Sequence, residues 1–190
     1  MSKISIERDV KGIEGLCIIT PKRFGDSRGW FMESYNRRDL LAEGIDYEFV
    51  QDNQSLSIKG ALRGMHFQIN HPQTKLIRVI RGEVFDAVVD LREGSPTYGK
   101  WHGELLSAEN GKQMLVPKGF AHGFLTLSEH AEFFYKCDEY YHPEDEGGFI
   151  WNDPSVGIDW PEIVEKNGEY YLQDGTKITI SDKDKKLPLL

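Results

Sequence analysis

Hydrophobic and polar positions alternate with a period of two along much of this chain. "LIRVIRGEVFDAVVDL" reads as two strands broken at Arg81-Gly82. In the second strand Phe85, Ala87, Val89 and Leu91 face one way and Val84, Asp86, Val88 and Asp90 the other. "AEFFYKCDEYY" alternates too, with Ala131, Phe133, Tyr135 and Cys137 opposite Glu132, Lys136 and Asp138. "GLCIIT", "FVQDNQS", "MLVPKGFAHGFLTL" and "TKITI" supply further strands between Gly, Pro and Asn clusters. Helix is scarce: "NRRDLLAEG" is the clearest case, with Asn36 placed to cap its start and Gly44 to end it. Many short strands with turn signals predict an all-β fold, a jelly-roll sandwich or barrel with a few short helices. Such a roll encloses a cavity walled by its inward-facing side chains.

Composition narrows the class. A chain of 190 residues is most simply one domain. The net charge of −8 argues against nucleic acid or an anionic membrane as partner. "MSKISIERDV" lacks the apolar run of a signal peptide, and no stretch approaches the roughly 18 apolar residues of a membrane span. Cys17 and Cys137 lie in apolar strand-like runs without metal-type spacing, which fits a reducing cytosol better than a disulfide framework. The expectation is a cytoplasmic protein.

Several residues carry candidate chemistry. His66, in "LRGMHFQ", could be a base, a metal ligand or a core histidine. Tyr135 shares the inward face of its strand, where a tyrosine is most simply a hydrogen-bonded core residue. Lys75 shares a face with Ile77 and Val79, where burial disfavours its charge, so it needs an anionic partner or a job. Pro117, Gly119 and His122 fall at the "PxGxxH" spacing of metal-binding small barrels, but "HFQ" offers no second ligand beside His66 and no Glu completes a set, so metal is not favoured. His71, His102, His130 and His142 read as surface residues. A metal-dependent oxygenase of cupin type and a non-catalytic sugar-binding roll are the competing classes.

Taken in order, "FGDSRGWFMESYN", "FVQDNQSLSIKGALRGMHFQ", "QTKLIRVIRGEVFDAVVDLR", "SPTYGKW", "LSAEN" and "VPKGFAHGFLTLSEHAEFFYKCDEYYHPEDEGGFIWNDPSVGIDWP" closely resemble the dTDP-4-dehydrorhamnose 3,5-epimerase family of cupin-fold sugar-nucleotide epimerases. The resemblance runs from about Phe24 to Pro161. It implies a jelly roll, usually a homodimer, with no metal and no organic cofactor. The implied reaction inverts C3 and C5 of dTDP-4-dehydro-6-deoxy-D-glucose; a C3-only or C5-only epimerase is the alternative within the class. By the same resemblance His66 is the general base, Asp184 of "SDKD" the carboxylate that orients it, Tyr135 the proton donor and Lys75 the group that stabilises the enolate, with Arg63 in the same polar cluster. Nucleotide-sugar contacts map onto Arg28, Glu33, Gln51, Asn53, His122, Glu146 and Lys183, with Tyr141 as a wall for the base or sugar. Arg28 and Glu33 are expected to reach the ligand of a neighbouring subunit.

This chain departs from the family pattern at Met65 and Thr74, where leucine and glycine are usual, and after Trp160-Pro161. There "EIVEKNGEYYLQDGTKITI" precedes the "SDKD" tail, so residues 162–190 are expected to hold an extra hairpin, "EYYL" against "TKITI" around a "QDG" turn, and then the tail. Whether that segment displaces Lys183 and Asp184 is open at this level. Arg63 and His66 are three apart, which strict alternation puts on opposite faces; either Gly64 hosts a bulge or Arg63 reaches the site round the strand.

Overall fold

The computed structural model describes residues 3–190. In chain order the elements are β1 (Ile4–Glu7), β2 (Cys17–Pro21), β3 (Phe24–Asp26), β4 (Gly29–Phe31), α1 (Arg37–Ala42), β5 (Gln51–Ile58), β6 (Leu62–Gln68), β7 (Lys75–Arg81), β8 (Glu83–Asp90), β9 (Trp101–Ser107), β10 (Gln113–Val116), β11 (Phe120–Thr126), β12 (His130–Cys137), β13 (Glu146–Gly148), β14 (Ile163–Lys166) and β15 (Glu169–Leu172). They build an all-β jelly roll of two main sheets, one ordered β1-β2-β10-β7-β12-β5 and the other β13-β6-β11-β8-β9. Two small hairpins, β3-β4 and β14-β15, stand outside them. Asn36 caps α1 by accepting the Arg38 N–H at 3.1 Å, and Gly44 follows the helix in the left-handed region at φ 76°.

Three apolar layers follow from the alternation. Between the sheets lie Ile77 and Val79 of β7, Val84 and Val88 of β8, Phe124 of β11 and Ala131 and Phe133 of β12. Leu40 and Ile45, from and just after α1, cover the outer face of the six-stranded sheet over Ile19, Leu76 and Leu115. Trp151, Trp160, Leu172 and Ile178 cover the other sheet's outer face over Leu62, Met65, Ala87, Val89, Ala121 and Leu125. Each fully buried large apolar side chain contributes about 1.5–3 kcal/mol, so the third layer makes the C-terminal segment a structural partner of the sheet that carries His66. Met65 is wholly buried there, and Thr74 is accommodated as a buried residue whose N–H donates to Asp138 Oδ1 at 2.7 Å.

Two expectations need correction. "EYYL" does not take "TKITI" as its strand partner. It pairs backwards with "EIVEK" through β14, around Asn167-Gly168, and "TKITI" contributes one antiparallel bridge, Tyr171 to Lys177, and one parallel bridge, Thr179 to Ala61. The "QDG" turn does form, with the Gly175 N–H donating to Leu172 O at 2.9 Å. An Asn-Gly pair with left-handed geometry favours the tighter hairpin. His102 is buried, not on the surface, because it sits mid-strand in β9 opposite Val88. Among the described residues no helix is long and apolar enough to cross a membrane.

The break between the two strands at Gly82 is a steric requirement. Its φ is 77°, and a Cβ there would collide with the His130 carbonyl oxygen and the Ser128 hydroxyl. Gly82→Ala is expected to lower stability by at least about 2 kcal/mol. Urea denaturation measures it; an unchanged midpoint would show that the turn can shift to make room.

Candidate active site

Between the open ends of the two sheets lies a cavity of about 680 Å³, within the range of small-molecule sites. Of the sequence-nominated residues, Asn53, Arg63, His66, Lys75, His122, Tyr135, Tyr141, Glu146, Lys183 and Asp184 all line it. Gln51 stands one step behind: its amide donates to Asn53 Oδ1 at 3.0 Å and its carbonyl accepts the Tyr141 N–H at 3.0 Å. Arg28 and Glu33 do not line it. Arg28 is exposed at the β3-β4 turn and paired with Asp26 at 2.6 Å, and Glu33 is paired with Lys3 at 2.7 Å.

One wall is β6. Its His66 stands opposite His122 of β11 while Arg63 stands opposite Phe124, so β6 spends one more residue than β11 over the same interval. That extra residue is a bulge at Gly64-Met65, and it turns both Arg63 and His66 toward the cavity. Gly64 allows it: φ is 118° and a Cβ would lie 2.5 Å from Gly123 Cα. His66 Nε2–H donates to Asp184 Oδ1 at 2.8 Å, and the Gly64 N–H donates to Asp184 Oδ2 at 3.4 Å. Burial pushes the Asp184 carboxyl up, but the hydrogen bond and charge of the His66 ring, with help from Gly64 and Ser181, outweigh it and leave its pKa lowered. An ionised carboxylate thus fixes one ring nitrogen as donor and leaves the opposite nitrogen to accept a proton. The inserted segment 162–180 has not displaced the tail.

The facing wall belongs to the other sheet, where Lys75 begins β7 and Tyr135 lies in β12. The two strands are paired, and the Lys75 ammonium sits 5.8 Å from the Tyr135 ring centroid. Burial lowers the Lys75 pKa against the raising influence of Cys137, Asp86 and Glu146. Burial also pushes the Tyr135 phenol up to about 12, with nearby acidic groups adding to it. At the cavity rim Lys183 pairs with Glu146 at 2.8 Å, and the Tyr141 hydroxyl donates to the same carboxylate. Burial alone would raise Glu146; these two partners and the His66 ring hold it lowered.

Polar groups that sequence reasoning passed over support these walls. Asp86, buried on β8, accepts from His122 Nε2 at 2.9 Å, and burial pushes its carboxyl up. The alternation of β8 had put Asp86 on one face with Val84 and Val88, and the structure shows that face to be the inner one, so the pattern was the available signal. Asp145 accepts the Asn70 and His71 N–H groups at 2.9 and 2.7 Å. The Gln68 side chain bridges His71 O and the His142 N–H. Together they lash the segment bearing Tyr141 and Glu146 to the end of β6. No signal in the sequence marked Asp145. Among the described residues no group of three or more His, Cys, Asp or Glu is arranged to hold a metal ion.

Comparison with known proteins gives a consistent picture. The family described as dTDP-4-dehydrorhamnose 3,5-epimerase matches residues 11–190. The dTDP-4-dehydrorhamnose 3,5-epimerase of Methanothermobacter thermautotrophicus is 53% identical over 154 residues, covering 80% of this chain and 83% of that protein. That of Pseudomonas aeruginosa is 50% identical over 175 residues, covering 92% and 91%. Among solved structures, dTDP-6-deoxy-D-glucose-3,5-epimerase from Legionella pneumophila in complex with dTDP-4-keto-L-rhamnose is 47% identical with a TM-score of 0.86, covering 98% of this chain and 92% of that one.

The raised Tyr135 pKa has a measurable consequence. The native protein holds this proton more tightly than an unfolded chain with its value near 10, so the contribution to stability is complete below pH 10 and is lost as pH rises toward 12. Absorbance of tyrosinate near 295 nm, compared between the wild type and Tyr135→Phe, should show no ionisation from this residue until roughly one unit below that midpoint. A difference emerging at pH 9 would mean that the phenol is solvated.

Proposed function

The chain belongs to the dTDP-4-dehydrorhamnose 3,5-epimerase family, and from that premise we propose how its residues divide the work of the reaction. The protein is an isomerase that inverts C3 and C5 of dTDP-4-dehydro-6-deoxy-D-glucose to give dTDP-4-dehydro-L-rhamnose. Both carbons flank the C4 ketone, which acidifies their protons through an enolate. His66 takes the proton at its free ring nitrogen, and Asp184 stabilises the imidazolium that results. Lys75 meets the negative charge gathering on O4. Tyr135 returns a proton to the carbon from the opposite side, and the carbon is inverted. Each cycle leaves an imidazolium and a tyrosinate, which solvent resets.

The observation that supports this reading is the opposition of the walls. His66, with Asp184 of the C-terminal turn bonded to it, and the Tyr135–Lys75 pair stand on different sheets facing one cavity. An inversion needs its base and its acid on opposite faces of the carbon. A binding module would need neither.

Arg63, Gln51, Asn53, His122, Tyr141, Glu146 and Lys183 are read as contacts to the nucleotide sugar. A diphosphate in the cavity would find Lys183 and Arg63 as cations, which suits a chain whose charge is otherwise negative. Arg28 and Glu33 are assigned to a neighbour's ligand in a homodimer. The exposed Phe24, Trp30 and Phe31 of the β3-β4 hairpin beside Arg28 are the apolar surface such a contact would cover. The chain is read as one domain, in which the C-terminal hairpin and tail complete the roll, and as a cytoplasmic protein.

The reaction is tested in deuterium oxide with dTDP-4-dehydro-6-deoxy-D-glucose, read by mass and stereochemistry. The wild type should place deuterium at both C3 and C5. His66→Ala should lose at least about 10²-fold in turnover and incorporate none. Tyr135→Phe should still exchange a substrate proton while giving little inverted product. Label at one carbon only would reassign the protein to a single-site epimerase, and near-normal turnover in His66→Ala would remove the base.

A further inference from the structure

We propose that Asp153, in the "WNDP" segment, is a positioning residue for the His66–Asp184 pair, mooring the chain at Leu190 so that the turn bearing Asp184 stays seated against β6. The proposal rests on the reading of Asp184 as the carboxylate that orients the base.

Asp184 belongs to a stretch held to the roll by few groups of its own, Lys183 on Glu146 and Asp184 on His66 and Gly64. From Ser181 to Lys186 only Asp184 is buried. The stretch hangs between two anchors. Upstream, the Thr179 N–H donates to Gly60 O at 2.8 Å and the Leu62 N–H donates to Thr179 O at 2.9 Å, at the entry to β6. Downstream, Leu187 packs over Gly148, the Ile150 N–H donates to Pro188 O at 2.8 Å, and the Leu190 N–H donates to Asp153 Oδ2 at 2.7 Å. The Leu189 and Leu190 side chains are exposed, so apolar burial does not hold this end. The backbone bonds do, and the final one ends on a carboxylate.

Asp153 is built for that task. It is buried, and its other oxygen accepts the Ser155 N–H at 2.7 Å and the Ser155 hydroxyl at 2.6 Å. The bonds from Ser155, Leu190 and Val156 together outweigh burial and lower its pKa. Its segment also carries Trp151, part of the apolar layer behind β6, so the mooring post is rigid relative to His66. Slack at Leu190 would be taken up in the exposed turn 181–186, where Asp184 must stay within hydrogen-bond reach of the imidazole.

The test uses the whole chain, with Asp153→Asn, deletion of Leu190, and Ser155→Ala, each made alone and in an Asp184→Asn background. Asp153→Asn can set an amide N–H against the Leu190 N–H and so break the mooring without changing shape. We expect Asp153→Asn and the deletion each to lower kcat at saturating substrate about tenfold, the scale of one lost hydrogen bond to a charged group. Both should speed amide exchange at Lys186 and Leu187 and leave Ile77 unchanged. Ser155→Ala should stay within about twofold of wild type, because the Leu190 bond survives it. In the Asp184→Asn background neither lesion should lower kcat further, since groups acting through one another are not additive. Full kcat and unchanged exchange in both lesions would overturn the proposal, as would losses that add to that of Asp184→Asn. If Asp153→Asn fails to fold, the deletion carries the test. If Asp184→Asn itself keeps full activity, the reading of Asp184 falls, while the exchange rates still report the mooring.

Discussion

The hydrogen bond between His66 and Asp184 joins residues 118 positions apart, and the rest of the site is arranged around it. A carboxylate taken out of water must be compensated or it will take up a proton. Here the imidazole, the Gly64 N–H and Ser181 do so together. Each partner is costly to arrange. The Gly64 N–H reaches Asp184 only because β6 bulges, and the bulge exists only because glycine occupies both sides of the close approach at Gly64 and Gly123. The imidazole points inward for the same reason. One backbone irregularity therefore aims His66, supplies a donor to the carboxylate bonded to it and brings Arg63 round to the same cavity.

The two walls differ in how they carry charge, and the difference matches the chemistry. On the β6 wall the carboxylate is held ionised. On the facing wall burial favours the neutral forms of both Lys75 and Tyr135. A lysine whose charge is disfavoured by desolvation gains most when an anion forms beside it, which is what an enolate oxygen does. A phenol whose ionised form is penalised remains a loaded proton donor at neutral pH. Asp86, buried and bonded to His122, interacts with Lys75 in the direction that favours the lysine's charge. The cavity is thus asymmetric before substrate enters: burial is outweighed at the Asp184 carboxylate and prevails at Lys75 and Tyr135.

Much of this was legible in the sequence. The period of two in β7 and β12 set Lys75 and Tyr135 on inward faces without any knowledge of pairing, and in β8 it put Asp86 on one face with Val84 and Val88. The three-residue offset between Arg63 and His66 contradicted strict alternation and left a bulge or a reach round the strand as the two solutions, between which the register decides for the bulge. What alternation could not supply was the identity of partners distant in the chain. His102 looked like a loop residue because "GKWHGE" is polar around it, yet the sheet surrounds it. "TKITI" has strong strand propensity, but the Asn-Gly turn gave "EYYL" a nearer partner, and context overrode propensity. Asp145 and Asp153 carry no periodic signature at all. Their value lies in backbone N–H groups they satisfy, at Asn70 and His71 for one and at Ser155 and Leu190 for the other, and such bonds leave no trace in side-chain pattern.

The C-terminal segment joins stability to activity. Leu172 and Ile178 help to seal the outer face of the five-stranded sheet, and a few residues later the same segment delivers Asp184 to its inner side. The chain has to pass the sheet edge between these two tasks, and it does so beside β6, bridged at Ala61 and Thr179. The apolar contacts are many and strong, whereas the stretch past Thr179 is held by a handful of hydrogen bonds. Opening free energies within one fold track such local differences in burial. The stretch that carries Asp184 is therefore held less firmly than the apolar segment before it, and the His66 ring and the Gly64 N–H are what bind it to β6: a detached tail would leave both facing an unfilled space.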